Sequence, residues 1–339
     1  MRRTASPPAS ALVAAALLAG CGGAAPAFNE ADPLDAKVSG EAALGHVAAL
    51  VAFGPRPAGS EALEESRRYI EEQLASTGWS VRRQTFTAKT PRGPVEFVNL
   101  RVRFGERGWE GRVEGLLCSH YDTKLYEKFE FVGANDGGSS TGLLIELARV
   151  LAERPAAASR IELVFFDGEE AFGTNITGKD GLYGSRHYAA EWLARPPRER
   201  PRWGVLLDMV GDADLNLHAA VRIPRQSLRD LAEARAKGAY AVDVAAVEES
   251  LQAMSRHLLE TADELGVRRH VGISPDYIVD DHIPLNVVAG IPTINLIDFD
   301  YAPWHTPGDT LDKLSSESLA ISGRVALRLV EKHLLPARR

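Results

Sequence analysis

Carboxylates and histidines follow several apolar runs of this 339-residue chain, where they could bind a metal ion together. Asp136 lies in the glycine-rich segment 133–138, Glu170 follows the apolar run 162–166, and His305 comes after another apolar run. Nitrogen and oxygen donors are ligands of zinc, and a catalytic site uses three of them and keeps one position open. The sequence therefore predicts a zinc site formed by these three residues.

The residue next to one of these ligands could transfer protons. Side chains of successive residues diverge at the end of a strand, so Glu170 can hold a metal while Glu169 faces a substrate. An isolated glutamate pair would usually be solvated, but this pair follows a fully apolar run. A partly desolvated carboxylate beside a metal is suited to general acid–base catalysis. We therefore predict that Glu169 is the acid–base residue.

Further residues leave the number of metal ions open. His120 and Asp208 also end apolar runs, and Asp136 could be shared between two ions. If the strand continues past His120, Asp122 lies on the same face and could orient the imidazole. The residues allow either one metal, or two with His120 and Asp208 on the second ion.

Other titratable residues are expected to support the site or to have no part in it. The doublet Asp280-Asp281 before His282 is interpreted as hydrogen-bonding groups or contacts for a substrate amine. Five histidines have no acidic residue at a strand end beside them and are expected to be ordinary surface or helix residues: His46, His218, His257, His270 and His333.

The elements that position these residues alternate between strand and helix. Apolar runs at 113–117, 162–166, 203–210 and 292–297 predict strands, and helical periodicity predicts helices over 61–76, 142–152, 248–265 and 316–335. This alternation favours an α/β fold in one catalytic domain, with a mostly parallel central sheet and helices on both faces. Ligands of such sheets bind at the carboxyl ends of the strands, where the candidate residues lie.

The N-terminus has the pattern of a lipoprotein signal peptide over residues 1–20. Arg2 and Arg3 precede the apolar segment 11–19, which is too short to span a bilayer. Residues 18–21 resemble a bacterial lipobox, so we predict a lipid on Cys21 that anchors the protein to a membrane. Residues 21–37 are predicted to be a flexible tether and 38–336 the zinc-dependent domain. The expected location is the bacterial cell envelope, facing the periplasm or the exterior.

Composition restricts the classes of partner. The chain is 45% hydrophobic and 25% charged, as is typical of a globular protein. Its formal net charge is −7 and it has no basic stripe, which argues against nucleic-acid binding. Cys118 is the only cysteine besides Cys21, so no disulfide is expected once Cys21 carries a lipid. We expect a monomer.

Six motifs together resemble the glutaminyl-peptide cyclotransferases, which belong to the wider family of zinc-dependent aminopeptidases. They lie in order at 119–122, 133–137, 165–172, 182–187, 280–284 and 304–306. The resemblance extends from about residue 50 to residue 325. The double glutamate and the histidine–aspartate pair are shared with aminopeptidases, whereas segment 280–283 and the tryptophan before His305 resemble the cyclases.

The resemblance implies an acyltransferase that converts the N-terminal glutamine of peptides and proteins to pyroglutamate and releases ammonia. It implies these roles: one zinc on Asp136, Glu170 and His305, acid–base catalysis by Glu169, hydrogen bonds around the site from Asp208 and Asp281, and a substrate pocket lined by Trp304. It also implies a cis peptide bond between Asp136 and Gly137. The remaining candidates for substrate binding or support are His120, Asp122 and His282.

One departure from the family pattern and two alternatives remain. Segment 173–178 lacks a tryptophan that animal cyclases carry there, so part of the aromatic pocket is expected to be missing or formed elsewhere. An aminopeptidase with two metals would use the same scaffold to activate water. A non-catalytic binding lipoprotein is disfavoured because no candidate ligand is missing.

Overall fold

An eight-stranded sheet forms the centre of the protein in our computed structural model, which describes residues 33–224 and 242–335. The strands are β1 (Trp79–Thr90), β2 (Gly93–Phe104), β3 (Gly115–His120), β4 (Ile161–Phe166), β5 (Trp203–Asp208), β6 (Leu217–Ala220), β7 (Val271–Ile273) and β8 (Thr293–Ile297). Their order across the sheet is β1-β2-β4-β3-β5-β8-β6-β7.

The centre of the sheet is parallel and its margins are mixed. Strands β4, β3, β5 and β8 are parallel neighbours, whereas β2 pairs antiparallel with β1 and β4, and β6 pairs antiparallel with β8. The predicted mostly parallel sheet is therefore confirmed for the strands that carry the candidate ligands. The β1–β2 hairpin was not predicted from the sequence.

Helices cover both faces of the sheet. They are α1 (Gly40–Ala52), α2 (Glu61–Ala75), α3 (Ser140–Ala152), α4 (Pro155–Ala158), α5 (Tyr183–Leu193), α6 (Val244–Glu264), α7 (His282–Pro284) and α8 (Ser316–Leu329). The last helix continues as a π-helical turn over Val330–Leu334. Helices α2, α3, α6 and α8 agree with the four predicted helices to within a few residues, except that the α-helical part of α8 ends at 329.

Strand β3 shows why the sheet is covered on both faces. Leu117 packs in the larger core with Leu143 of α3 and Val325 of α8. Cys118 points the other way and packs with Tyr188 of α5. Successive strand residues face opposite sides, and a strand buried on both sides is apolar throughout. The continuous apolar runs in the sequence have this cause.

The folded domain begins earlier than the sequence indicated. Leu34–Lys37 forms a short 3₁₀ helix, although these residues were assigned to the tether. Leu34 is buried and donates its N–H to Glu331 Oε2 at 3.1 Å, and Asp35 accepts a hydrogen bond from Arg328 at 2.7 Å. Their burial depends on the C-terminal helix, which local periodicity does not show.

The predicted signal peptide and Cys21 lie outside the described residues. Within the described ranges, no helix has both the length and the apolar character needed to cross a membrane.

Candidate active site

The candidate residues meet at the carboxyl edge of the four parallel strands. His120 is the last residue of β3 and Asp208 the last of β5, while Glu169 and Glu170 follow β4 and His305 lies in the loop after β8. This edge of the sheet is where α/β proteins bind ligands. The structure therefore brings together residues that are far apart in the chain.

A cavity of about 370 Å³ opens at this edge. Its polar lining consists mainly of Lys124, Asp136, Glu169, Glu170, Asp208, Asp280 and His305. Apolar side chains, described below, line the outer part. The cavity can accept a small polar group at its base and an apolar group near its mouth.

Asp136, Glu170 and His305 form one potential metal site, since their donor atoms lie within 4.8 Å of one another. His305 Nε2 lies 3.2 Å from Glu170 Oε1 and 3.4 Å from Asp136 Oδ2. Burial opposes protonation of His305, but these two carboxylates raise its pKa to about 9. His305 has a φ of 57°, a strained conformation of the kind that clusters at functional sites.

His120, Asp136 and Asp208 form a second potential metal group that shares Asp136. His120 Nε2 lies 3.1 Å from Asp208 Oδ1 and 3.3 Å from Asp136 Oδ1. Burial opposes protonation of His120, but the carboxylates around it raise its pKa well above the usual value. His120 is fully buried and does not line the cavity.

Asp122 supports the double glutamate and lies beside His120. Its Oδ1 lies 3.5 Å from His120 Nδ1, and that nitrogen has no hydrogen-bond partner among the described residues. The two carboxylate oxygens instead accept the backbone N–H groups of Glu169 and Glu170 at 3.2 and 3.3 Å. β3 ends at His120, but Asp122 still lies beside the imidazole, so an orienting role for this carboxylate stays a prediction.

The loop that carries Asp136 depends on a glycine, and its peptide bonds are trans. The described residues contain no cis peptide bond, so the cis bond expected between Asp136 and Gly137 is wrong. Gly137 makes the turn by adopting a φ of 77°, which glycine reaches without strain. A Cβ there would lie 2.7 Å from the carbonyl oxygen of Asp122 and 2.9 Å from His120 Cε1. Only glycine lets this loop approach β3 so closely.

Asp309 also fixes this loop, a role that sequence analysis missed. Its carboxylate accepts the backbone N–H of Asn135 at 2.7 Å and of Asp136 at 3.1 Å. Tyr301 donates its hydroxyl to the same carboxylate at 2.8 Å. Nothing in the local sequence indicates this role, because the partners are more than 170 residues apart.

Lys124 is a second residue that sequence analysis missed. It is buried, donates to the carbonyl of Ala171 at 2.9 Å, and lies 3.4 Å from Glu170 Oε2. Glu170 thus contacts His305 through one oxygen and the Lys124 ammonium through the other. In the sequence, the only indication of this role is that Lys124 comes shortly after the motif at 119–122.

Glu169 faces the cavity in an environment that makes its carboxylate a stronger base. Burial first, and then the neighbouring Glu170, raise its pKa well above the usual value. Asp280 adds to this effect, and its own pKa is raised by burial and by Asp208. Asn295 donates to Asp280 Oδ2 at 2.7 Å and holds it in place. Glu169, Asp208 and Asp280 are therefore closely spaced carboxyl groups that favour keeping protons among them.

The structure places Asp280 at the cavity, where sequence analysis had selected Asp281 and His282. Neither Asp281 nor His282 lines the cavity, and both are fully buried. Burial raises the pKa of Asp281 to about 7, against a smaller opposing effect of the Ser185 hydroxyl, and lowers that of His282 to about 3. The backbone turns into α7 here, so strand alternation does not decide which acid faces inward.

Substitution by asparagine should have different effects at Asp280 and Asp281. Asp280→Asn removes a carboxyl group beside Glu169 and should lower kcat/KM by about 100-fold, as loss of an acid–base partner does. Asp281→Asn should leave kcat/KM close to the parent value.

Since the folded pKa of Asp281 is raised from 3.8 to about 7, wild-type stability falls as pH rises through this window. The neutral amide introduced by Asp281→Asn avoids this loss, so the variant should gain up to about 4 kcal/mol at pH 8.

Urea unfolding at pH 4 and pH 8 checks this expectation, with kcat/KM measured on the same preparations. The stability difference between Asp281→Asn and wild type should be small at pH 4 and should reach its largest value by pH 8. A large loss of activity in Asp281→Asn, with Asp280→Asn active, would reverse the assignment.

Exposed apolar side chains surround the mouth of the cavity. Tyr277 is 61% exposed, Phe299 49% and Trp304 39%, which is unusual for large apolar side chains. Trp304 stacks on His305 with the ring centroids 4.1 Å apart. Ile176, from the segment that lacks the expected tryptophan, also lines the cavity. Tyr277 and Phe299 thus supply aromatic surface from other loops.

Comparison with known proteins agrees with this architecture. Residues 108–330 match the model of peptidase family M28. This match covers more than half of the chain, which therefore belongs to peptidase family M28.

Within this family, the chain is similar to glutaminyl cyclases. It is 30% identical to a glutaminyl-peptide cyclotransferase-like protein of Mus musculus, over 82% of this chain and 72% of the relative. The crystal structure of an Acidobacteriales bacterium glutaminyl cyclase is 30% identical, with a TM-score of 0.69 over 91% of this chain and 97% of that one. A Zn-dependent exopeptidase from Parabacteroides distasonis is 25% identical, with a TM-score of 0.68 over 87% and 99%. The resemblance inferred from the motifs is confirmed.

Proposed function

We propose that the protein is a glutaminyl-peptide cyclotransferase, which converts N-terminal glutamine of peptides to pyroglutamate and releases ammonia. The observation that carries this proposal is the position of Glu169, which faces the cavity directly beside the potential metal site of Asp136, Glu170 and His305. The relatives named as glutaminyl cyclases support it. A non-catalytic role is not favoured, because the complete set of candidate residues lies together.

The residues of this site fit a zinc ion. One imidazole and two carboxylates are a normal donor set for zinc. Asp136 Oδ2 is buried and has no hydrogen-bond partner of good geometry among the described residues. Glu170 has a raised pKa because of burial and of Asp136, so a cation between these carboxylates would relieve their repulsion. Zinc held here would supply Lewis-acid polarisation of the glutamine side-chain carbonyl.

The remaining chemistry is attack by the substrate amine and the transfer of one proton through Glu169. Glu169 accepts a proton from the α-amine of the N-terminal glutamine, and the amine nitrogen attacks the side-chain amide carbon. The bond from this carbon to the amide nitrogen breaks as the five-membered ring closes. Glu169 returns the proton to the departing ammonia, so the step balances without water. Asp280 stabilises the protonated form of Glu169 between these transfers.

We propose one zinc per active site. Asp136, Glu170 and His305 all line the cavity, so a metal between them would be open to substrate. In the other group His120 is fully buried and does not itself line the cavity. This arrangement supports a structural role for His120 rather than the second metal that an aminopeptidase would need.

Mass spectrometry of a glutamine-initiated peptide, incubated with the zinc-loaded protein, tests the proposed reaction. Loss of ammonia with every residue retained is expected. A peptide with apolar residues after the glutamine should react faster than one with acidic residues, because the cavity mouth is apolar. Release of the N-terminal residue would instead establish an aminopeptidase.

We also propose that Cys21 carries a lipid and holds the enzyme in the bacterial cell envelope, facing the periplasm or the exterior. This proposal rests on the sequence pattern of residues 1–21. Replacing Cys21 with alanine should move the protein from the membrane fraction to the soluble fraction, and unchanged membrane association would contradict the proposal.

A further inference from the structure

A second cluster of potential metal ligands lies away from the active site, between α6 and the end of the chain's last helix. It contains His257 and Glu260 of α6 and His333 of the π-helical turn after α8. One donor atom from each of these residues lies within 4.8 Å of the others. Neither histidine has an acidic residue at a strand end beside it, so the sequence predicts that both are ordinary surface or helix residues.

The side chains of this cluster are arranged for shared ligation. His257 and Glu260 are three residues apart, so they lie on the same face of α6. Their Nδ1 and Oε2 atoms are 3.2 Å apart. The rings of His257 and His333 stack with centroids 4.2 Å apart. Donor atoms around a tetrahedral zinc lie about 3.5 Å apart, given Zn–N bonds of about 2.1 Å. The partly exposed His257 ring would have to rotate out of the stack for both imidazoles to point at one ion.

His333 and Glu260 both have donor atoms that are available to a cation. His333 Nε2 has no hydrogen-bond partner among the described residues. Glu260 supplies a negative charge, and its side chain is 58% exposed, so it can move toward an ion.

We propose that His257, Glu260 and His333 form a zinc site, separate from the catalytic centre, that links α6 to the C-terminal turn. Two imidazoles and a carboxylate suit zinc better than calcium or magnesium, which prefer oxygen ligands. Because this ion would bind the folded state and connect two separate elements, it would stabilise the domain.

Isothermal titration of zinc into the protein, already loaded at its catalytic centre, tests this site. The parent should bind one additional zinc per chain. His257→Ala should weaken this binding by at least about tenfold, because loss of supporting residues alone costs 10- to 100-fold in metal affinity. Glu264→Gln is the matched control, since Glu264 is an exposed acid on the same helix that pairs with Lys332 and is not part of the cluster. It should bind the additional zinc as the parent does.

Thermal unfolding gives a second readout that does not depend on activity. Zinc should raise the Tm of the parent and of Glu264→Gln, but not that of His257→Ala or His333→Ala. The proposal is overturned if the loaded parent binds no further zinc, or if His257→Ala binds it as well as the parent. Equal weakening in His257→Ala and Glu264→Gln would also overturn it, since general attraction to negative charge would then explain the binding.

Discussion

Glu169→Gln should lower the turnover of a glutamine-initiated peptide by about 10²- to 10⁴-fold, the usual contribution of a general acid–base residue. The amide has nearly the shape of the carboxyl group but cannot accept the proton of the α-amine. Glu169 lines the cavity and is not one of the potential metal ligands. The zinc content of the variant should therefore equal that of the parent.

Measurement of kcat, together with zinc content on the same sample, separates this role from a metal-binding role. Glu170→Gln is the matched control, because the same substitution one residue later removes a potential ligand and should lower zinc affinity as well. If Glu169→Gln keeps more than a tenth of parental turnover, Glu169 is not the acid–base residue.

Loss of a metal ligand at the proposed catalytic centre should lower activity at least as much as Glu169→Gln does. His305→Ala removes the only imidazole of the Asp136–Glu170–His305 group and leaves two buried carboxylates facing each other. We expect zinc to be lost from the centre and kcat/KM to fall by about 1,000-fold or more, since Lewis-acid catalysis contributes several kcal/mol. Metal analysis and kinetics at a fixed, buffered zinc concentration check both effects.

His120→Asn is the comparison that decides the number of catalytic metals. With one zinc at the cavity, this variant should keep the zinc content of its parent. His305→Ala and His120→Asn should both be made in the His257→Ala background. An ion at the proposed His257–Glu260–His333 site is then not counted. A parent with two zinc ions in that background, one of which is lost in His120→Asn, would contradict the one-zinc centre and favour the aminopeptidase.

Much of the fold could be predicted because the central strands are buried on both faces. Such strands are mostly apolar, so the runs that became β3, β4, β5 and β8 stand out in the sequence. The β1–β2 hairpin did not, because β1 is mostly polar and partly exposed, and polar or charged residues interrupt the apolar residues of β2. Pairing between β2 and β4 then depends on segments far apart in the chain.

The sequence by itself determined which residues could form the site, because parallel strands end at one edge and polar residues after them must meet there. This rule predicts that the site includes His120, Glu170 and Asp208. Only the tertiary structure decided which way the loop residues point, since irregular backbone has no periodicity that fixes side-chain direction. It placed Asp280 rather than Asp281 at the cavity. It also brought Asp309 to the Asp136 loop, and His333 to His257, through contacts between distant segments.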